Sequence, residues 1–193
     1  VDIMNRYSRQ TLFNKIGSEG QRLIGSRTVL IVGVGALGSL SGEMLARAGV
    51  KKLILIDRDY VEMSNLQRQT LYTEVDANDK MPKVIAAKER LENIRSDMEI
   101  ETHIAHADAV LMESLAKEAD IILDGTDNFD TRMLINDVAF KLNKPWVNAA
   151  CVEASYSSCG FVPGQTPCYR CLVPVLPTTT CLLYTSDAAD EED

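Results

Sequence analysis

The sequence predicts an α/β fold in which a doubly wound, mostly parallel sheet carries antiparallel strands added toward the C-terminus. Three observations support this prediction. Short aliphatic runs alternate with segments whose apolar residues recur at helical spacing. Glycines follow the first of these runs at the spacing G-x-G-x-x-G. After residue 150 the pattern changes to an alternation of small polar and apolar residues, which is typical of antiparallel strands.

Five segments are predicted as parallel strands because each is short, mostly aliphatic and bounded by turn residues. They are TVLIVG (28–33), KLILID (52–57), EIETHI (99–104), DIILDG (120–125) and PWVNAA (145–150). The segment VEASYSSCGFVPG, which starts at residue 152, predicts the antiparallel addition. Strands that alternate with helices in this way form a sheet covered on both faces.

Three helices are predicted between these strands from apolar stripes with spacings of three and four residues. The stripes are Leu37, Leu40, Met44 and Ala48 within 36–48, then Val84, Ala87, Leu91 and Ile94 behind Pro82, and finally Leu134, Val138 and Leu142. Proline suits the start of a helix because its missing N–H costs nothing there. Residues 58–81 form a long polar connection, and such loops are usually functional.

Composition and charge restrict the functional classes. The chain has 193 residues, 46% hydrophobic and 25% charged, which is ordinary for a globular protein. Its net charge of -8 argues against a general nucleic-acid binder. No apolar run is long enough to span a membrane, so no membrane partner is expected. VDIMNRYSRQ lacks the layout of a secretory signal, and we therefore expect a cytoplasmic protein.

The glycine loop predicts a Rossmann-like nucleotide site. Gly33 permits a tight turn, Gly35 lets the backbone approach phosphate, and Gly38 lets the following helix pack close to the strand. Asp57 ends the next strand, where an acidic side chain accepts hydrogen bonds from ribose hydroxyls. Dehydrogenases use the same parts, so an NAD-dependent oxidoreductase is an alternative.

Basic residues favour a triphosphate over a dinucleotide. Arg68 lies in the long loop, Lys83 begins a predicted helix, and Arg6 and Arg9 lie near the N-terminus. A triphosphate carries about four negative charges and needs cations or a metal ion to bind and react. The alternative interpretation is that these are solvated surface charges.

Three aspartates gather at the carboxyl end of the fourth predicted strand, where open α/β sheets bind ligands. Among Asp124, Asp127 and Asp130, the sequence favours a metal or phosphate role for Asp127 and leaves the other two unassigned. The alternative is that Asp127 or Asn128 is a helix N-cap. The two histidines, His103 and His106, are interpreted as structural.

Six motifs together resemble a known family. They are RYSRQ, GVGALG, DRDYVEMSNLQRQ, MPK, DGTDNFDTR and CYRC. From residue 5 to about 176, the chain resembles adenylyltransferases of the HesA/MoeB/ThiF family, which are related to ubiquitin-activating enzymes. The resemblance implies an enzyme that uses ATP and Mg²⁺ to adenylylate the C-terminal Gly-Gly carboxylate of a ubiquitin-like sulfur-carrier protein. It also implies a role in molybdopterin or thiamine (thiazole) biosynthesis, and a homodimer.

Two alternatives remain within or near this family. One is the member that dehydrates threonylcarbamoyladenosine on tRNA, which the CYRC motif disfavours because that enzyme generally lacks the zinc cysteines. The other is a non-catalytic subunit, which the complete set of phosphate-facing residues disfavours.

The resemblance also implies roles for individual residues. Those implied to bind nucleotide are Gly33, Gly35, Ala36, Gly38, Asp57, Asn65, Arg68 and Lys83. Of these, Arg68 and Lys83 would act on the phosphates in the reaction. Asp127 would hold Mg²⁺ or act at the reacting centre, and Arg9 would reach into the neighbouring subunit's site.

Cys168 and Cys171 form C-x-x-C, which is half of a structural Zn²⁺ site. Family members supply the other ligands from a second C-x-x-C that does not occur in these 193 residues, so the predicted zinc site is incomplete. Cys151 and Cys159 are alternative ligands within the chain. A redox pair is disfavoured because prolines surround it.

Residues 1–180 are predicted to form one ATP-binding adenylyltransferase domain that is truncated at its C-terminal side. The tail at 181–193, CLLYTSDAADEED, contains five acidic residues and no basic one. It resembles the translation of a sequencing adapter, and the alternative is a disordered acidic tail.

Overall fold

The computed structural model describes residues 6–152 and 155–173, and the predicted tail at 181–193 lies outside them. One sheet contains six strands in the order β3-β2-β1-β4-β5-β6. They are β1 (Thr28–Val32), β2 (Lys52–Asp57), β3 (Glu99–Ile104), β4 (Ile121–Asp124), β5 (Trp146–Val152) and β6 (Ser155–Phe161). The first five run parallel and β6 is antiparallel to β5, so the predicted fold class is confirmed.

The helices of the described part include the three that the sequence predicts. In chain order they are α1 (Ser8–Thr11), α2 (Gly17–Ile24), α3 (Ala36–Ala48), α4 (Glu74–Asn78), α5 (Lys83–Ile94), α6 (Ala109–Glu118), α7 (Phe129–Lys141) and α8 (Tyr169–Leu172). The predicted helices are α3, α5 and α7. Sequence reasoning missed α6, although Asp108 marks its start by accepting hydrogen bonds from the N–H groups of Val110 and Leu111. Across the described ranges, no helix has the length and apolarity needed to cross a membrane.

The central strands are buried on both faces, which explains their continuous aliphatic sequences. Alternate residues of β1 enter different apolar clusters. Ile31 belongs to the cluster that contains Val84 and Leu91 of α5. Leu30 belongs to the cluster that contains Met112 of α6 and Ile135 of α7. Helices therefore cover the sheet on both sides, and the carboxyl ends of its strands are left to form a site.

The apolar stripe predicted for α3 is not its buried face. Leu40 and Met44 are 49% and 61% exposed, while Leu37 and Ala48 are half-buried. The residues that the helix buries are Gly38, Ser39, Gly42 and Ala46. Small side chains let the helix approach the sheet closely. The buried face of α3 is therefore the one with small residues, not the one with large apolar residues.

The long connection at 58–81 is folded rather than extended. It contains a 3₁₀ turn (Met63–Asn65) and helix α4, whose N-cap Thr73 forms a capping box with Asp76. The buried Tyr72 hydroxyl donates a 2.6 Å hydrogen bond to the carbonyl of Val34, which lies in the glycine loop. The connection is therefore attached directly to the segment that the sequence assigns to phosphate.

Three glycines bring the glycine loop, α3 and the β4–α7 turn into backbone contact. Gly33 has a φ of +83°, a conformation that favours glycine. A Cβ on Gly125 would lie 2.5 Å from the Gly33 carbonyl oxygen and 3.0 Å from the Gly38 Cα. A Cβ on Gly38 would overlap the same carbonyl oxygen. The contact therefore exists because side chains are absent at these positions.

We predict that Gly38→Ala destabilises the fold by about 1–3 kcal/mol, because its methyl group would displace backbone atoms rather than a flexible side chain. The measurement is the free energy of unfolding in urea. Gly42→Ala on the same helix is the matched control, since its Cβ would lie 3.6 Å from Ile31 Cδ1 and 3.9 Å from Leu91 Cδ1. That variant should be neutral or up to ~1 kcal/mol more stable. Equal effects of the two substitutions would contradict the glycine contact.

Candidate active site

An open cleft of about 470 Å³ lies at the carboxyl ends of the parallel strands, where ligands bind in open α/β sheets. Four segments line it: the glycine loop, the end of β2 with the connection that follows, the residues after β3, and the β4–α7 turn. The lining residues are Val32, Gly33, Gly35, Ile56, Asp57, Arg58, Asp59, Tyr60, Glu62, Asn65, Lys83, Ala105, His106, Ala107, Gly125, Thr126, Asp127, Asn128 and Thr131.

The cleft brings together many of the predicted site residues. Those that line it are Gly33, Gly35, Asp57, Asn65, Lys83 and Asp127. Ala36 and Gly38 lie in the first turn of α3, outside this lining. Arg68 is also outside it, and its guanidinium donates a 2.9 Å hydrogen bond to the carbonyl of Ser64. Arg9 is exposed on α1. The functional roles of all these residues remain predictions.

Helix α3 presents its N-terminus at this cleft. Its N-cap is Gly35, which has no side chain that could bond to the first N–H groups of the helix. Those groups and the positive end of the helix dipole are therefore available to an anion. The local geometry suits a phosphate group.

Asp57 connects the glycine loop to the end of β2. One carboxylate oxygen accepts a 2.6 Å hydrogen bond from the Val34 N–H, and the other accepts a 2.9 Å bond from the Asp59 N–H. Burial raises the pKa of Asp57, and these donors and Lys83 only partly offset that rise. Because the pKa of Asp57 is raised in the folded state, the free energy of unfolding falls as the pH rises through that pKa and the buried carboxylate ionises.

Lys83 supplies a buried cation. It is the first residue of α5, and its side chain is only 6% exposed. Its Nζ lies 3.3 Å from a carboxylate oxygen of Asp59, and its backbone N–H donates a 2.9 Å bond to the Asp59 carbonyl. A buried ammonium in a cleft attracts an anionic ligand.

The β4–α7 turn places Asn128, Asp127 and Asp130 in three different environments. Asn128 is the N-cap of α7, because its side-chain oxygen accepts a 2.9 Å bond from the Thr131 N–H. Asp127 is half-buried in the cleft wall, where its contact with the Asn128 amide is long, at 3.5 Å. Asn128 thus meets the capping requirement and leaves the Asp127 carboxylate facing the cleft. Asp130 is exposed outside the cleft lining.

Asp124 has a structural position that its sequence context does not reveal. It is 3% exposed, and one oxygen accepts bonds from the N–H and hydroxyl of Thr126 at 2.9 and 2.6 Å. The other accepts bonds from Arg132 Nε at 2.7 Å and Asn148 Nδ2 at 2.6 Å. Burial works to lower the pKa of Arg132, but Asp124 outweighs it and the pKa is raised. These partners occupy Asp124 and fix the turn that carries Asp127.

Several cleft residues were missed by sequence reasoning. The missed residues are Arg58, Asp59, Tyr60, Glu62, Thr126, Asn128 and Thr131. His106 is exposed and also lines the cleft, and its structural interpretation stays a prediction. Its place two residues after a parallel strand was the available signal. His103 instead forms a 2.7 Å contact with Glu101 on the edge strand β3.

The cysteine pair has the spacing of half a zinc site. The Cys168 and Cys171 sulfurs are 3.7 Å apart. Tetrahedral zinc with Zn–S distances of about 2.3 Å requires sulfurs about 3.8 Å apart, so the pair fits. Burial raises the pKa of the Cys168 thiol, but hydrogen bonds around Cys171 and Arg170 outweigh it and lower the pKa overall.

Helix α7 holds this cysteine segment in place. The buried Asn136 accepts a 2.9 Å bond from the Tyr169 N–H, and Asp137 pairs with Arg170 at 2.6 Å. Tyr169 also packs edge-on against the stacked rings of Trp146 and Phe161.

Within residues 6–152 and 155–173, no three His, Cys, Asp or Glu residues cluster to hold a metal. The alternative four-cysteine site with Cys151 and Cys159 is therefore wrong.

Comparison with known proteins shows that the chain is similar to a family of known enzymes. Residues 7–186 match the ThiF family. The sulfur carrier protein ThiS adenylyltransferase of Bacillus subtilis is 47% identical over 172 residues, which are 89% of this chain and 51% of that protein. The adenylyltransferase and sulfurtransferase MOCS3 of Anopheles gambiae is 38% identical over 176 residues, or 91% of this chain and 40% of that protein.

An archaeal relative and solved structures agree with these matches. The SAMP-activating enzyme E1 of Haloferax volcanii is 37% identical over 90% of this chain and 63% of its own length. Escherichia coli MccB with MccA-N7isoASN has a TM-score of 0.81 at 30% identity, over 91% of this chain and 53% of that one. MccB with ATP has a TM-score of 0.77 at 29% identity, over 96% and 60%. The chain spans about half the length of the first two curated relatives.

We predict that Arg132→Met destabilises the fold by about 3–5 kcal/mol, because it leaves the buried Asp124 charge without its cation. Lys141→Met on the same helix is the control, since Lys141 is 64% exposed and pairs with Glu113 at the surface. That substitution should cost less than about 1 kcal/mol. Urea unfolding measures both, and similar losses would show that Asp124 does not depend on Arg132.

Proposed function

This chain belongs to the ThiF family, and from this membership we propose that its cleft binds ATP and adenylylates the C-terminal Gly-Gly carboxylate of a ubiquitin-like sulfur-carrier protein. The observation that carries the proposal is the grouping of Asp57, Lys83 and Asp127 around the N-terminus of α3. An acid for ribose, a buried cation and a second acid thus surround one anion site. The names of two relatives, a sulfur carrier protein adenylyltransferase and an adenylyltransferase and sulfurtransferase, support the same reaction.

The reaction needs positioning and charge neutralisation more than proton transfer. A carboxylate oxygen of the carrier attacks the α-phosphorus of ATP and forms an acyl–phosphate bond. The bond from the α-phosphorus to the bridging oxygen breaks, and its electron pair leaves with pyrophosphate. Two anions approach each other, and charge grows on the leaving group. Fixed cations and N–H donors lower this barrier, and the attacking carboxylate is already ionised, so no general base is required.

Each cleft residue has a role in this proposal. The N–H groups of the glycine loop and α3 bind phosphate, and Asp57 binds the ribose hydroxyls. Lys83 neutralises charge near the α-phosphorus, while Asn65 and Arg68 bind the remaining phosphates. Asp127 would hold Mg²⁺, which neutralises charge on the leaving pyrophosphate when bound. A carboxylate oxygen beside phosphates is the donor type that Mg²⁺ prefers, so the residue fits the ion.

ATP is favoured over NAD as the nucleotide. An oxidoreductase would account for the glycine loop and Asp57, but a buried lysine in the cleft better suits a triphosphate, which carries more negative charge than the pyrophosphate of a dinucleotide. The related MccB has been solved with ATP. A threonylcarbamoyladenosine dehydratase and a non-catalytic subunit remain the alternatives within the family, and the cysteine pair and the retained cleft residues favour adenylylation over both.

The proposal extends to partners and other groups. The carrier would serve molybdopterin or thiamine biosynthesis, which is the role that the family resemblance implies. The protein would act as a cytoplasmic homodimer in which Arg9 reaches the neighbouring cleft. Cys168 and Cys171 would supply two ligands to a structural zinc ion, whose role is to hold the segment rather than to react.

We predict that Asp127→Ala lowers carrier-dependent exchange of labelled pyrophosphate into ATP by about 100-fold or more, because it removes charge control at the reacting phosphates. Arg68→Ala should lower the same exchange. Asp130→Ala is the matched control, since this nearby carboxylate is exposed outside the cleft lining and the variant should keep most of the activity. A panel of ubiquitin-like carriers that end in Gly-Gly supplies the co-substrate.

Two outcomes would count against the proposal. Exchange that survives both Asp127→Ala and Arg68→Ala would reject the site assignment. Binding of NADH without binding of ATP and Mg²⁺, measured by calorimetry on the purified protein, would favour the oxidoreductase.

A further inference from the structure

We propose that Asp59 is a positioning residue that holds Lys83 in the cleft until the nucleotide phosphates replace it as the partner of the ammonium group. The inference deepens the proposed function and rests on it. Asp59 lines the cleft, but neither the glycine fingerprint nor the pattern of basic residues identifies it.

The backbone of Asp59 joins two functional side chains. Its N–H donates a 2.9 Å bond to Asp57, and its carbonyl accepts a 2.9 Å bond from the Lys83 N–H. The neighbouring residues Tyr60 and Pro82 form an antiparallel bridge. The first turn of the long connection is therefore bound to the start of α5, and the Asp59 carboxylate is fixed beside the lysine side chain.

The two partners differ greatly in exposure. The Lys83 side chain is 6% exposed, whereas the Asp59 side chain is 54% exposed. Among the described residues, Asp59 supplies the carboxylate within 4.0 Å of Lys83 Nζ, at 3.3 Å. A buried ammonium needs a partner, but an exposed carboxylate is stable in water alone. Asp59 can therefore release Lys83 at little cost once another anion arrives.

The surrounding charges favour this exchange. Arg58 Nε lies 3.6 Å from the other oxygen of Asp59, so one carboxylate contacts two cations. Asp57, Glu62 and Asp127 also line the cleft, and they add negative charge to the ligand-free site. A polyphosphate carries more charge than one carboxylate and can take over both cations. Asp59 then leaves Lys83 already oriented, which reduces the entropy lost in reaching the reactive geometry.

The test uses Asp59→Asn, which keeps the shape and the backbone bonds but removes the charge. In ligand-free protein, labelling of Lys83 by an amine-reactive anhydride, followed by mass spectrometry, should become at least threefold faster because the ammonium leaves its buried position. In pyrophosphate exchange, kcat should fall about tenfold, while KM for ATP stays equal or decreases because a competing anion is gone. Asp59→Glu should recover part of both effects.

Asp79→Asn is the matched control. Asp79 is an exposed carboxylate at the end of α4 in the same connection, so its loss should change neither readout. Wild-type labelling and kcat in Asp59→Asn would overturn the inference. Absence of exchange in the wild-type protein would instead reject the proposed function, and the labelling comparison would still decide whether Asp59 holds Lys83.

Discussion

The backbone contact among Gly33, Gly38 and Gly125 is the constraint on which the rest of the site depends. It joins the loop after β1, the first turn of α3 and the turn after β4 without any intervening side chain. The helix N-terminus and the turn that carries Asp127 consequently face one cleft. Packing density is high throughout protein interiors, but here carbonyl oxygen and Cα atoms make the contact themselves, so the geometry cannot relax through a rotamer change.

Buried hydrogen bonds then fix the two loops that the glycines bring together. Asp124 uses both oxygens on Thr126, Arg132 and Asn148, and it thereby defines the conformation of the β4–α7 turn. Tyr72 likewise fixes the glycine loop, because its hydroxyl donates a hydrogen bond to the carbonyl of Val34. Fully paired groups of this kind make the surroundings rigid. By contrast, Lys83 pairs with an exposed carboxylate and Asp127 has only a long contact, which suits residues that bind a ligand.

The sequence predicts the framework well because local patterns determine it. Aliphatic runs give the parallel strands, and the glycine fingerprint with Asp57 locates one wall of the cleft. Periodicity fails for α3, because a count of apolar residues cannot recognise that Gly38 and Gly42 form the packed face. It also cannot separate Asp124 from Asp127, since only tertiary partners such as Arg132 distinguish a buried anchor from a cleft residue.

Helix α7 connects the cleft turn to the cysteine segment. Its Arg132 secures the cleft turn, and one helical turn further on Asn136 secures the backbone of Tyr169 beside the cysteines. The same helix therefore sets the distance between the cleft turn and the cysteine segment. One residue inserted between Arg132 and Asn136 would rotate one attachment point by about 100° relative to the other, so the helical repeat couples the geometry of the cleft turn to that of the cysteine segment.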